Sequence, residues 1–566
     1  MADNADLLIR GATVVDGSGL PAFTADVEVR NGIITRVGHL SGAKADREID
    51  ADGLYVTPGF VDVHTHYEPQ LHFEPTASPS SWHGVTTVLT GNCGFSIAPS
   101  KAEDLEWLTL MLAKVEGMSV KALRAGVDFP GGSVADFLAN LEGRIGVNMA
   151  YYVAHSSVRR WVMGDDASER SATDAEVEAM QGLVDQGMKD GAIGFSTSQL
   201  EVHADHEGRP IPSNLADPSE LVALTSVLAN YREGVVEHLC RSFATGYDES
   251  DRKLLRDMAI ASGGKALHVN MLLRFTTDPD IWKTCLEVLE GYAEEGLRVY
   301  PMASANPKGL HLALSDTGML DEMPTFRAVL SGSVAERSQK LRDATIREAL
   351  SREFDDPTLR QVKFGWDQLL VAGVGLPQHR HLLGKSVAGI AATSGEREID
   401  AFLDLALAEE LQTVFVIDRP VTQDDRDVIA FLLRHPQTTP GSSDGGAHIN
   451  TFCGADYTTR ILTEYVGEGG LTFEEAVRKL SAIPAMTACL WDRGVIRPGA
   501  AADLLVIERE KLGLGSVRAV DDLPTGATRL VIDQQGYRAT IVNGETVIED
   551  GRATGRVPGS VLRFNQ

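Results

Sequence analysis

The 566-residue chain is poor in cysteine, in basic charge and in long apolar runs. Its five cysteines, Cys93, Cys240, Cys285, Cys453 and Cys489, are too few and too scattered for a disulfide framework. No stretch approaches the roughly eighteen consecutive apolar residues of a membrane-spanning helix. The opening MADNADLLIRG has neither a basic nor an apolar leader segment, so a secretory signal is not expected. Lys plus Arg is 52 against 80 for Asp plus Glu, a formal charge of −28, which repels nucleic acid and anionic membrane alike. Repeats and low-complexity tracts are lacking too. A composition of 43% hydrophobic and 23% charged residues is that of a folded globular protein, not a disordered one. The expectation is a soluble, reduced, cytoplasmic protein with neither nucleic acid nor membrane as partner. Self-association into a homo-oligomer stays open.

What is present divides into three parts. Residues 1–56 are strand-rich, with β-branched clusters and an Asn31-Gly32 hairpin signal. Residues 496–566 look the same, with a second hairpin around Asn543-Gly544. Two β-rich ends predict one composite module, a small β-sandwich built from both chain termini. Between them, residues 57–495 alternate strand and helix. Apolar runs at Tyr55–Val63, Thr86–Leu89, Met149–Val153, Ala192–Phe195, Val235–Glu237, Ala266–Val269, Arg298–Tyr300 and Thr438–Gly441 make eight, with helical patterns such as Asp174–Lys189 and Pro218–Tyr231 between them. Eight such units predict an α/β fold, a (β/α)₈ TIM-type barrel with its active site at the C-terminal strand ends. The stretch 306–434 is too long for one connection and reads as an insertion near that site, with strand-like runs at Gln361–Gly365 and Thr413–Ile417.

Candidate chemistry clusters at strand ends. In Pro58-Gly59-Phe60-Val61-Asp62-Val63-His64-Thr65-His66, two histidines at i and i+2 share one strand face and can reach one cation. A bare His-x-His is often two surface residues, but the strand-end position favours ligation. Cys93 follows an apolar strand in Gly91-Asn92-Cys93-Gly94, where a thiolate could ligate or bridge metals; the other cysteines read better as small buried hydrophobes. His238 and His268 each end or lie in a buried strand, and each alone could be a satisfied core histidine. Asp444 sits on a glycine turn, Gly441-Ser442-Ser443-Asp444-Gly445-Gly446, after the last strand. Convergence of His64, His66, Cys93, His238 and Asp444, with His268 as a further candidate, is what a metal hydrolase needs: the metal activates water, and a carboxylate carries its proton.

The chain resembles the amidohydrolase superfamily, and within it the N-acyl-D-amino-acid deacylase (D-aminoacylase) branch. The resemblance runs through "LLIRGATVVDGSG", "PGFVDVHTH", "SSWHGVTTVLTGNCGFSIAP", "GAIGFST", "GSSDGG" and "GVIRPGAAADLLVI". It implies the same barrel with a β-sandwich from both ends, and zinc, one or two ions. It also implies that Cys93 acts where relatives use a carboxylated lysine, and the fourth strand, Ala192-Ile193-Gly194-Phe195-Ser196, has no lysine. Glu68 departs from the usual Asp in the segment after the paired histidines and is a substrate-binding candidate there. On the sixth strand one register places His268 at the ligand position and another places Met271 there. The resemblance implies that His155 and Arg159 face substrate or support those that do; packing at a helix N-terminus is the plain alternative. Arg241 could fork onto a substrate carboxylate or form a surface ion pair. His203, His206 and Arg209 read as a loop near the entrance, and the second His-x-His, His379 and His381, lacks a buried strand before it.

The function expected is zinc-dependent hydrolysis of a linear amide, a small-molecule N-acyl-D-amino acid, with Asp444 as proton shuttle. The alternatives are hydrolysis of a cyclic or other small amide, and a non-catalytic binding homologue.

Overall fold

Gly59 divides the run Tyr55–Val63 into two strands with different destinations. A Cβ at Gly59 would fall 2.1 Å from Oγ1 of Thr86, so only glycine lets the chain press against the neighbouring strand there. Tyr55–Pro58 joins a sheet formed by the chain ends, and Phe60–Asp62 opens a parallel sheet. The structure is a computed structural model. It describes residues 5–565 apart from 202, 275–277, 306–309, 315–319, 321–322, 360–362, 418–420 and 450–453, so Cys453 lies outside the described residues.

The parallel sheet runs in sequence order through Phe60–Asp62, Val85–Thr90, Asn148–Ala154, Gly194–Ser198, Val235–Leu239, Ala266–Leu272, Val299–Ala303 and Thr439–Pro440. All eight expected runs form strands, and a parallel bridge between Thr65 and Gly445 joins the chain just past the first strand to that past the last. The arrangement fits a TIM-type (β/α)₈ barrel. Its interior is a cluster of Val61, Leu89, Ala150, Ile193, Val235 and Met302, among others, while the alternate residues of the same strands pack outward against helices. Parallel strands buried on both faces are apolar throughout, which is why they read as continuous runs. The helix Asp174–Asp190 illustrates the intervening elements. It begins at a Thr173/Glu176 capping box and ends at Gly191 with φ 110°.

Both chain ends meet in one nine-stranded sheet. Leu504–Ile507 pairs antiparallel with Tyr55–Pro58 on one side and with Tyr537–Val542 on the other. Both Asn-Gly hairpins form, with φ of 48° and 73° at Asn31-Gly32 and 46° and 80° at Asn543-Gly544, the positive pair that type I′ turns require. Leu7, Ile9, Val14, Val27, Val29 and Ile34 share one apolar cluster with Ile496, Leu504, Val506 and Ile541. Each buried aliphatic side chain contributes ~1.5–3 kcal/mol, and several together reach the ~5–15 kcal/mol that holds a domain folded. A chain truncated to start at Leu54 is therefore expected to aggregate, as read by soluble yield and gel filtration. A monodisperse, active truncation would contradict the shared core.

Between the seventh and eighth strands lies a satellite with its own sheet, Leu310–Leu312, Leu369–Gly373 and Val414–Ile417, and its own cluster of apolar side chains. The strand expected at Gln361–Gly365 falls partly outside the described residues, and the rest is not a strand; Leu369–Gly373 takes that place. The helix Gln423–Arg434 sends Ile429, Leu432 and Leu433 into the barrel's outer core, not the satellite. Among the described residues no helix is long and apolar enough to cross a membrane.

Candidate metal centre

His64 and His66 leave the first strand on one side, both buried, with ring centroids 5.3 Å apart. Cys93 follows the second strand in a turn that only small residues allow. Gly91, Cys93 and Gly94 all have positive φ (81°, 55° and 72°), and a Cβ on Gly91 would lie 2.7 Å from the carbonyl oxygen of Tyr152. The turn brings Cys93 Sγ to 3.5 Å from His64 Nε2. One ligand atom from each of His64, His66 and Cys93 lies within 4.8 Å of the other two, and all three residues are buried.

Asp444 arrives from the last strand with φ 52° and places Oδ1 3.3 Å from His64 Nε2. The glycines after it are required by contact. A Cβ on Gly446 would meet the His66 carbonyl oxygen at 2.6 Å, and one on Gly445 would meet the Tyr67 ring at 2.7 Å. The His66 amide donates to the Gly445 carbonyl at 2.7 Å, so this turn is clamped to the paired histidines.

The fifth and sixth strands bring different residues from those singled out above. Glu237, not His238, faces the cluster. Its Oε2 accepts the Cys93 amide at 2.7 Å and its Oε1 lies 3.5 Å from His64 Nδ1. His238 is the next residue, so strand alternation turns it to the outer face where Val236 and Cys240 pack. On the sixth strand the residue at the cluster is neither His268 nor Met271 but Asn270, whose Nδ2 lies 3.4 Å from His64 Nε2 and 3.9 Å from Cys93 Sγ. Ser442 donates to Asn270 Oδ1 at 2.7 Å. His268 shares the inward face two residues deeper, 6.4 Å ring to ring from Tyr300, and lies outside the ligand cluster.

Other candidates settle elsewhere. His155 and Arg159 bind Glu220 behind the barrel wall, with His155 Nε2 2.8 Å and Arg159 Nη1 2.5 Å from its carboxylate, and His155 Nδ1 lies 2.7 Å from Thr197 Oγ1. Arg159 is buried with Nη1 on the Glu220 carboxylate and Nη2 2.9 Å from the Arg170 carbonyl oxygen, so neither terminal nitrogen is turned to a substrate. Arg241 is a surface residue 3.5 Å from Glu201. His203 stacks edge-on to Phe95, beside the Cys93 turn. His379 pairs with Glu409 in the satellite, and His381 binds the Gln378 carbonyl. Glu68 is buried beside the Cys93 turn, where it accepts the Gly91 amide at 2.5 Å; burial pushes its carboxyl up to about 8.

A residue absent from the sequence reading completes the mouth. Glu116, on the chain following helix Leu105–Val115, places Oε1 3.7 Å from His66 Nδ1 and Oε2 3.6 Å from His448 Nε2. Burial, reinforced by Asp444, Glu68 and Glu237, holds its carboxyl far above the usual carboxylate range. Burial pushes Glu237 up to about 8, and burial with Glu237, Glu116 and Asp444 raises the Cys93 thiol. Among the described residues, no lysine or arginine ion pair reaches Glu68, Glu116 or Glu237. Buried acids and a thiol concentrated around two imidazoles, without basic side chains to balance them, suit a divalent cation. A thiolate with two imidazoles matches a borderline-soft ion such as zinc.

The sequence profile of the Amidohydrolase family matches residues 47–548. The chain belongs to the amidohydrolase family. It is 27% identical to the N-acyl-D-aspartate deacylase of Alcaligenes xylosoxydans xylosoxydans over 99% of this chain and 95% of the relative. Among solved structures it is similar to the N-acyl-D-glutamate deacylase of Bordetella bronchiseptica, complexed with zinc and a phosphonate mimic of the tetrahedral intermediate. There the TM-score is 0.65 at 26% identity, over 99% and 100% of the two chains. A D-aminoacylase studied for its binuclear metal centre superimposes with TM-score 0.66 at 26% identity over the same shares. The deacylase resemblance drawn from the motifs thus extends along the whole chain.

Proposed function

We propose that this chain is a zinc-dependent amidohydrolase that deacylates a small N-acyl-D-amino acid. The observation that carries the reading is the buried His64, His66 and Cys93 cluster with Asp444 beside it at the strand ends, in a chain similar end to end to deacylases. His64, His66 and Cys93 would hold the ion, with Asp444 within reach of it. When bound, zinc supplies Lewis acidity toward an amide carbonyl and toward water. Asp444 takes the proton from the attacking water and returns it to the nitrogen of the leaving amine. Glycine neighbours hold its backbone in place, so the carboxylate needs only a side-chain movement to reach either position. Burial of the surrounding groups excludes bulk water and strengthens each electrostatic contact. The barrel's partner module is proposed to be a β-sandwich. Ala5–Arg10 pairs with Ala45–Asp50 while Thr13–Val14 pairs with Tyr55–Val56, a fork that supports division of the terminal sheet into two layers.

The deciding experiment is a hydrolysis screen of N-acetyl and N-formyl amino acids in both enantiomers, with cyclic imides alongside and metal content measured on the same sample. Turnover of D-enantiomers by zinc-loaded protein is expected. Preferential opening of a cyclic imide would replace the substrate assignment, and absence of any turnover with zinc bound would point to a binding role.

A further inference from the structure

The two histidines of the cluster share a feature that the metal-binding reading does not require. Each turns its Nδ1 edge toward a buried glutamate. His64 Nδ1 faces Glu237 Oε1 at 3.5 Å, and His66 Nδ1 faces Glu116 Oε1 at 3.7 Å, ion-pair distances that are not yet hydrogen bonds. The glutamates come from unrelated places, one from the fifth barrel strand and one from the chain after helix Leu105–Val115. For His64 the opposite ring edge is also defined: Nε2 looks at Cys93 Sγ at 3.5 Å and Asp444 Oδ1 at 3.3 Å. Nε2 thus faces the donor cluster and Nδ1 faces the carboxylate.

We propose that Glu237 and Glu116 are positioning residues that orient His64 and His66 and fix the tautomer that presents Nε2 to the ion; this rests on the metal-site reading above. An imidazole ligates through one nitrogen, and an N–H on the other needs an acceptor when buried. Once a cation is bound beside it and draws off its proton, a carboxylate in that place fixes the proton on Nδ1, locks the ring plane and raises the basicity of the ligating nitrogen. Each glutamate also ties a second element to its histidine. Glu237 Oε2 accepts the Cys93 amide at 2.7 Å, so a single side chain sets both the His64 ring and the turn that carries the thiol. Glu116 Oε2 lies 3.6 Å from His448 Nε2, and the His448 amide donates to the Glu116 carbonyl, which links His66 to the segment just after Asp444. Direct ligation by Glu237 is the rival role. Its Oε1 is on the far side of the His64 ring from Nε2, its Oε2 is engaged by the backbone, and it lies outside the ligand cluster.

The test is metal affinity. Apo-protein is titrated with zinc against a chromophoric chelator, and the cobalt(II) form is examined by visible absorption. Glu237→Gln and Glu116→Gln keep an oxygen acceptor and the side-chain shape but cannot ionise when the cation binds. Each is expected to weaken zinc binding by roughly 10–100-fold, with the cobalt d–d bands unchanged in position and intensity. Thermal unfolding of the metal-free variants is expected to match wild type, and Glu116→Gln gives an independent reading if Glu237→Gln fails to fold. Zinc affinity equal to wild type in both variants would overturn the proposal. So would a changed cobalt coordination spectrum in Glu237→Gln, which would make that glutamate a ligand. Wild-type protein that takes up no zinc would instead remove the metal-site reading on which the proposal rests.

Discussion

Asp444→Asn is expected to lower turnover by roughly 10²–10⁴-fold, the span over which general acid–base groups act, while zinc content stays at the wild-type level. The substitution keeps the shape and removes the proton acceptor. Two properties single out Asp444. It lies 3.3 Å from His64 Nε2, on the edge that also faces Cys93, and its side chain keeps 12% exposure, so a water and a leaving amine can reach it. Glu68 is the natural competitor, and the geometry assigns it other work. Glu68 is wholly buried and its Oε1 is held by the Gly91 amide, which braces the turn that carries Cys93. A carboxyl that burial pushes up to about 8 is mostly protonated at neutral pH and is a poor base there. Glu68→Gln preserves the acceptor for Gly91 and should cost far less than Asp444→Asn. Turnover measured on the two variants at equal zinc content decides between them: near-wild-type activity in Asp444→Asn, or the deeper loss in Glu68→Gln, would transfer the acid–base role.

The parts of this site that can be read from sequence are those whose chemistry is local. His64 and His66 announce themselves by spacing, Cys93 and Asp444 by glycines around a strand end, and the hairpins by Asn-Gly pairs that suit a type I′ turn. The fifth strand is the instructive miss. Val235-Val236-Glu237-His238-Leu239 is buried on both faces, so the alternation that would say which residue looks inward is absent. Residue type alone favours the histidine there, and a shift of one residue sends it behind the wall. On the sixth strand His268 and Asn270 share the inward parity, and only depth in the barrel separates them, which local sequence does not carry. His155 and Arg159 sit at a strand end, as active-site residues do. What turned them away is Glu220, about sixty residues on, whose pairing only the folded chain discloses. Glu116 carries no local signal: it meets His66 only because the connection after the second strand folds back over the mouth.

Cys93→Ala is expected to release zinc, from at least one ion per chain to near none after dialysis against a chelator. The thiolate is the one soft anionic donor in the cluster; without it the remaining imidazoles lack the ligand that distinguishes zinc from harder ions. The substitution is mild for the fold. Both residues carry a Cβ, so the cost of φ 55° is shared, and the glycines on either side are untouched. Loss of metal without a change in the thermal unfolding of apo-protein would therefore identify ligation and not packing. Cys240→Ala supplies the contrast: Cys240 is buried in the outer core away from the cluster, and its removal should leave zinc content unchanged. The ligation also has a pH signature. Burial, with the acidic neighbours Glu237, Glu116 and Asp444, pushes the Cys93 thiol up, so the metal-free site holds it protonated at neutral pH. Zinc must displace that proton, which makes uptake release protons and weaken as pH falls. Calorimetric titration of apo-protein in buffers of different ionisation enthalpy measures the release directly. Wild type should release more protons per zinc than any residual binding in Cys93→Ala, and full zinc occupancy in that variant, with unchanged proton release, would reject Cys93 as a ligand.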